Sequence, residues 1–443
     1  MVTTRYACFV EVEGSQGHGP GSVTIVGVDL IPAGRSPRSS PDAPPASRGA
    51  RLAAGMVGWL TLFAIGWSGL LIPSLIRSIE TTFAQTDAGI GLVYLGYAIA
   101  YGSGSLGGGW LTERFGRRRV LGGAALVHGL GVAGLGLAPS WPWFIVAAMA
   151  LAAGAGCLDG GANGLVLDVY REGRGRAMNL LHVAFSLGAL SAPLVVGAVV
   201  ERGSSWQSLA VASGIAVSTL AVAYTLVPMP SGRRRVVAPD EQRVEALDVS
   251  GRAGIRRLLT GPLLLLGVAI AAYVASEVGV SNWLVRFLEP APLTTATLAL
   301  SLYWAGLTVG RLVSSAIADR FDHLRFTIAC VLALAAMVLV AVLAPSLPLS
   351  VAAFALAGVA SGPVFPMIVA LGGERYPERS AAVGGSLTGM AVVGSTVYPP
   401  AMGFLSVTVG LTAAMLGTVL LAIASAVALV AFGRTTLAGE ATR

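Results

Sequence analysis

Two carboxylates stand inside apolar runs of this chain. Asp159 lies within Gly156-Cys157-Leu158-Asp159-Gly160-Gly161-Ala162-Asn163, which continues apolar through Leu165, Val166 and Leu167. Asp159 and Asn163 are four residues apart, so on a helix they share one face. Glu277 lies in a second run, one turn beyond Tyr273 and shortly before Asn282, Trp283 and Arg286. Arg311 stands within a third. His182 shares a helix face with Asn179 and Ser186, and imidazole titrates close to neutrality. Such a set suits two tasks: gripping a polar solute by its hydroxyls, and carrying a proton. Trp283 would offer a flat apolar face to the C–H surface of a sugar ring.

The surroundings of these groups set the class. Hydrophobic residues make up 55% of the 443 and charged ones 12%, and mean hydropathy is +0.76. A soluble chain carries about twice that charge. Twelve apolar segments of spanning length run from 54–79 to 410–433, with the second over 89–111 and the tenth over 347–373. They are apolar all round, without the period-two alternation of an outer-membrane barrel. The fold class is an all-α membrane protein, with twelve transmembrane helices in two pseudo-symmetric six-helix bundles. The expected parts are a disordered cytoplasmic tail over 1–52, a first bundle over 53–229, a cytoplasmic linker over 230–258, a second bundle over 259–434 and a tail over 435–443.

Depth gives Asp159 its weight. It is nine residues from Asp168, the charged end of its segment, or roughly 13 Å at 1.5 Å per residue. That places it near the midplane of a ~30 Å hydrocarbon core. An ionisable group there costs at least about 2.5–3.5 kcal/mol on insertion scales, so it faces a cavity and serves transport or proton relay. The competing reading is a structural hydrogen bond to Asn163 or to a neighbouring helix. Glu277 has two compatible readings as well, solute binding or an ion pair with Arg311. His182 reads equally as a solute or proton ligand and as a satisfied interhelical group. His128, with no polar companions at helical spacing, reads as a core histidine.

All 29 basic residues are Arg. Arg77, Arg202 and Arg286 fall outside and Arg311 lies in a span; 29 less these four leaves 25 in the tail or cytoplasmic loops when both termini are inside. The positive-inside rule selects that orientation, in the plasma (bacterial inner) membrane. The net charge of +7 is therefore a topology signal and nucleic acid is excluded as a partner. Cys8, Cys157 and Cys330 show no disulfide framework or metal spacing. No phosphate-cradling loop of the P-loop kind is present, and the Ser, His and Asp residues lack a nucleophile's context. An enzyme and an ATP-driven pump both drop out; no cofactor is expected, a proton gradient is the energy source, and a monomer in the lipid bilayer with a small-molecule substrate is expected.

The two halves repeat. Adding 206 carries Glu113-Arg114-Phe115 onto Asp319-Arg320-Phe321, Ala138-Pro139-Ser140 onto Ala344-Pro345-Ser346, and Asp168 and Tyr170 onto Glu374 and Tyr376. It also carries Gly188, Pro193 and Gly197 onto Gly394, Pro399 and Gly403, which reads as helix bending in both halves. One ungapped offset implies parallel repeats about an axis along the membrane normal, with the solute site near midplane where the halves meet.

Gly109-Trp110-Leu111-Thr112-Glu113-Arg114-Phe115-Gly116-Arg117-Arg118-Arg119 resembles the signature loop of the major facilitator superfamily, with Glu113 where that family favours Asp. The resemblance implies a conformational latch of Gly109, Glu113, Arg114, Gly116, Arg117, Arg118 and Asp168, with Asp319, Arg320 and Glu374 in the second half. Physically, Gly109 permits close helix approach, and the acids and Arg residues can bond helix ends and facing charges. Gly156, Cys157, Leu158, Asp159 and Asn163, with Arg176, Asn179, His182, Phe185, Gly188 and Ala189, resemble the fucose permease-like sugar–proton symporters of that superfamily. This implies that Asp159 is the protonatable acid. His182 replaces a Gln of that branch, and its first-helix acid has no counterpart in Gly66-Trp67-Ser68-Gly69.

The expectation is proton-coupled uptake of a small sugar or polyol-like solute by alternating access. Asp159 would carry the proton; Asn163, Asn179, His182, Glu277, Asn282, Trp283 and Arg311 would line the solute path. The rival is a proton-antiporting exporter of drugs or metabolites, favoured by a mostly apolar cavity. A receptor on this scaffold would need no proton carrier.

Overall fold

The computed structural model describes residues 48–170, 174–227 and 261–441. The expected tail lies outside these residues as far as 47, and the expected linker lies wholly outside them. Among the described residues every regular element is helical. Twelve spans follow one another, and two of them are broken. The first comprises Arg48–Gly69 and Leu71–Phe83. Pro73 has no N–H to give the Gly69 carbonyl, so the helix restarts there. The tenth comprises Leu347–Ser361 and Val364–Arg375, interrupted at Gly362-Pro363 for the same reason.

Eleven spans are long and apolar enough to cross a membrane by length and composition. The second, Asp87–Phe115, is 29 residues long but diluted by glycines and by Asp87, Glu113 and Arg114. The last helix, Leu411–Ala441, continues past the expected boundary at 434.

The 206-residue repeat is structural. A Cβ added to Gly104 would lie 2.1 Å from the Ala153 carbonyl oxygen, and one on Gly310 would lie 2.1 Å from that of Val359. Gly156 meets the Tyr101 carbonyl at 2.1 Å and Gly362 meets the Leu307 carbonyl at 2.4 Å in the same sense. Each pair in the second half is the first-half pair moved by one offset, and only glycine lets these backbones approach so closely.

The two sets of six spans touch chiefly where the second span meets the eleventh, the fifth meets the eighth, and Leu71–Phe83 meets the seventh. Gly197 and Gly403, read from the sequence as bending points, sit at these contacts. A Cβ on Gly197 would fall 3.2 Å from Thr294 Cα, and one on Gly403 would fall 2.9 Å from Gly91 Cα.

Polar ties gather at the end remote from Arg48 and Ala441. Arg286 on the seventh span reaches Glu80 at 2.9 Å and Asp87 at 2.8 Å. Arg77 donates to the carbonyls of Val285 and Ala291. Ser406 donates to Asp87, and the Thr294 amide donates to Glu201 at 2.7 Å. All of these cross between the two bundles. At the opposite end, the ties Arg117–Asp168, Arg118 to the Val227 carbonyl and His323–Glu374 each stay within one bundle.

Candidate functional site

Between the bundles lies a cavity of about 270 Å³. The second span gives it Tyr94, Tyr97 and Tyr101, at spacings that put all three rings on one helix face. The fifth span contributes Phe185, the eighth Trp304, and the seventh Glu277, Ser281 and Asn282. Phe185 and Trp304 meet edge to face across the bundles, with ring centroids 5.9 Å apart. The Trp304 indole donates to Ser281 Oγ at 3.0 Å, which fixes the ring against the seventh span.

Asp159 stands one hydrogen bond behind this wall. Tyr101 donates to its Oδ2 at 2.7 Å, and Asn163 Nδ2 donates to its Oδ1 at 2.9 Å. Asn163 also donates to the Asp159 carbonyl at 2.8 Å, so it orients the acid and does not line the cavity itself. The bond between Asp159 and Asn163 anticipated as a structural alternative is present, and so is the connection to the cavity through Tyr101.

Glu277 is held by neutral donors. The Tyr273 hydroxyl donates to it, and Ser361 Oγ donates to the same oxygen at 3.3 Å. The ion pair with Arg311 is not formed: among the described residues the Arg311 guanidinium makes no hydrogen bond or ion pair. Arg311 and Asp159 both act electrostatically on the His182 ring. Arg311 belongs to the second bundle and Asp159 to the first, and His182 itself is exposed. Asn179 lies exposed one turn from His182.

Trp283 departs from expectation. It is fully buried, donates to the Pro399 carbonyl at 2.8 Å and packs in the core; Trp304 supplies the aromatic wall instead. His128 is the core group expected, hydrogen-bonded to Ser68 at 2.9 Å and to the Leu151 carbonyl at 2.8 Å. The sequence reading also passed over Tyr94, Tyr97 and Tyr101 as wall residues, although their spacing carried the signal. No cluster of three potential metal ligands occurs among the described residues.

In the latch, Arg117 pairs with Asp168 at 2.6 Å. Arg118 caps the Val227 carbonyl, and Arg114 lies over the rings of Trp110 and Phe115. Glu113 and Arg320 are exposed, and the Asp319 side chain lies outside what the structure describes. Gly109 is not the close-approach residue; nothing lies within 4 Å of a Cβ placed there, whereas one on its neighbour Gly108 would be 2.8 Å from Cys157 Sγ. Gly116 is glycine for its backbone, with φ at +86°.

Two repeated six-helix sets enclose a mainly apolar, aromatic-walled cavity in which Glu277, Ser281, Asn282 and Ser395 are the polar groups besides the tyrosines, the architecture of a membrane transporter. The chain matches the Major Facilitator Superfamily over residues 56–291 and 265–442, and it belongs to that family. It is 23% identical to a cis,cis-muconate transport protein of Acinetobacter baylyi, over 62% of this chain and 68% of that one. It is 26% identical to a glucose/galactose transporter of Brucella abortus, over 81% and 89%. A shorter match, 27% identical over 37% of this chain, covers 28% of a sodium-dependent glucose transporter of Danio rerio. The fold resembles a bacterial homolog of the human lysosomal transporter Spinster in an inward-facing, unoccupied conformation, with TM-score 0.73, 17% identity, and 88% and 98% of the two chains covered. It also resembles the Escherichia coli fucose:proton symporter, with TM-score 0.56, 19% identity, and 86% and 98% covered.

Proposed function

We propose that this protein takes up a small, hydroxyl-bearing solute in symport with protons, by alternating access, and that the described conformation faces the cytoplasm. The observation that carries the reading is the cavity wall on which Glu277, Ser281 and Asn282 stand opposite Tyr97 and Tyr101, with Asp159 one hydrogen bond behind. Hydroxyls of a ring solute find acceptors and donors on one side and flat aromatic faces on the other. Arginine placement puts the termini inside, so the polar ties around Arg286 close the outer end. The cavity volume of about 270 Å³ lies below the 300–1,000 Å³ usual for drug-sized ligands, which favours a monosaccharide-sized solute over a bulky export substrate. The relatives' names include both sugar and organic-acid transport, consistent with a small polar cargo.

Asp159 is the proton carrier in this reading. Protonation removes the charge that Tyr101 and Asn163 now stabilise, so the two helices can shift relative to one another without leaving a bare carboxylate at midplane depth. The test is a proteoliposome screen in which sugars, polyols and hydroxylated carboxylic acids are offered while internal pH is followed. Proton influx with one solute, abolished by Asp159→Asn, is the expected result. Undiminished pH-driven accumulation by Asp159→Asn would remove the role.

A further inference from the structure

The two acids of the central region are satisfied and the cation is not. Asp159 has Tyr101 and Asn163; Glu277 has Tyr273 and Ser361. All four partners are neutral donors. Arg311 is half-buried and, among the described residues, engages no acceptor through its guanidinium. The His182 ring likewise has no hydrogen bond there, and it stands within electrostatic reach of Arg311. A guanidinium carries five N–H donors, and those of Arg311 are not among the buried unpartnered atoms, so they remain open to an incoming acceptor.

Helix geometry says where these donors point. Arg311 follows Trp304 by seven residues, two turns on the same face of the eighth span. Cα–Cβ bonds tilt toward a helix's N-terminus, which for this span is the Leu293 end. Arg311 therefore stands on the Trp304 face with its Cβ tilted toward Trp304, and neither it nor His182 belongs to the lining of the 270 Å³ cavity, so the two flank it on the side of Arg48 and Ala441. His182 precedes the cavity residue Phe185 by one turn on the facing helix. The Phe185–Trp304 contact joins the two faces, so His182 and Arg311 flank it from opposite bundles.

We propose, building on the transporter reading above, that the solute bears a carboxylate held between Arg311 and His182. Its ring or hydroxyl portion lies against Trp304 and Phe185 and reaches Ser281, Asn282 and Glu277. The planar fork of Arg311 matches a carboxylate bidentately, which a lysine would not. The cargo class is then a hydroxylated cyclic or open-chain carboxylic acid of monosaccharide size, not a neutral sugar. An arrangement in which Arg311 merely waits for Glu277 in another conformation gives no preference for acids.

Matched pairs decide between the two: glucose against glucuronate, and catechol against 3,4-dihydroxybenzoate, added to the purified full-length protein at neutral pH. The readout is the shift in melting temperature against concentration. The acid of at least one pair is expected to half-saturate at tenfold lower concentration than its neutral partner. Arg311→Gln should bring the two within twofold, and Arg311→Lys should give an intermediate ratio. Equal affinities in the unaltered protein, no stabilisation by either acid, or an acid preference that survives both substitutions would overturn the proposal. Counterflow in proteoliposomes separates this failure from that of the transporter reading. A neutral solute exchanged while its acid is ignored sinks the carboxylate site alone; an acid that binds through Arg311 but is never exchanged leaves the site standing and sinks transport.

Discussion

Arg286 Nε donates to Asp87 Oδ1 at 2.8 Å and lies 2.9 Å from Glu80 Oε2 as an ion pair, across the boundary between the two bundles. One N–H cannot serve two carboxylates fully, and Glu80 Oε1 is buried without a partner among the described residues. Asp87 is the better held of the two acids, since Ser406 donates to its other oxygen. Arg286→Gln leaves both carboxylates buried without a cation. The side chains of Glu80 and Asp87 are only 12% and 7% exposed, so the cost is on the order of 2 kcal/mol, below the 3–5 kcal/mol typical of a fully buried pair. The population should shift about thirtyfold toward an open outer end. Glu80→Gln acts the other way, because its amide relieves the excess charge and can donate to Asp87. Spin labels at positions 204 and 290, on the loops of this end, should report a longer distance for Arg286→Gln and an unchanged or shorter one for Glu80→Gln.

The ion pairs at the end near Arg48 and Ala441 form an unequal repeat. Arg117–Asp168 becomes His323–Glu374 after one shift of 206 residues. Arg117 is 13% exposed and has a buried Nη1 without a partner among the described residues, so Asp168 is its sole counter-charge there. Because Asp168 is 50% exposed, Asp168→Asn should cost only about 1 kcal/mol after allowing for solvent screening. Glu374→Gln should cost less, since its histidine partner carries charge only when protonated. Melting temperatures of the two purified variants should rank in that order.

The two tryptophans separate solute binding from packing. Trp304→Ala removes the wall against which a ring stacks and should weaken solute binding about tenfold, measured on the fraction that folds. Trp283→Ala empties a fully buried site and removes the indole's bond to the Pro399 carbonyl, a loss of about 3–5 kcal/mol. Trp304 is 8% exposed and borders the cavity, so yield of folded protein should fall less for Trp304→Ala than for the fully buried Trp283→Ala.

How much was legible beforehand follows from which physics acts locally. Span number and the 206-residue repeat came from apolar run length and identical residues at one offset, both local properties of the chain. Asp159 was marked by its depth, because an acid in an apolar run is conspicuous in any context. Trp283 was misplaced because spacing along a helix gives the relative angle of side chains but not which face meets the core; that is settled by the neighbouring spans. Trp304 looked like one more apolar residue until Phe185 and Ser281 were brought to it. Gly108, not Gly109, is the packing glycine, and one residue turns a helix by about 100°, enough to move from a contact to open space. The partners of Arg286 are roughly two hundred residues away in sequence, and only the assembled bundles reveal them.

Gly156 links backbone packing to the Asp159 carboxylate, and a single methyl group tests the link. A Cβ on Gly156 would fall 2.1 Å from the Tyr101 carbonyl oxygen and 2.9 Å from the Ser105 amide nitrogen, both backbone atoms that cannot swing aside. Gly156→Ala must therefore push the second span off the fourth. Tyr101 is the residue displaced, and its hydroxyl holds Asp159 at 2.7 Å. Gly160, one turn further along the same helix, has nothing within 4 Å of a Cβ, so Gly160→Ala changes helix propensity equally without moving a neighbour. Proton-linked uptake should fall at least tenfold in Gly156→Ala, resembling Tyr101→Phe, and should be unaffected in Gly160→Ala. Equal uptake by the two glycine variants would show that the contact between the second and fourth spans does not position the carboxylate.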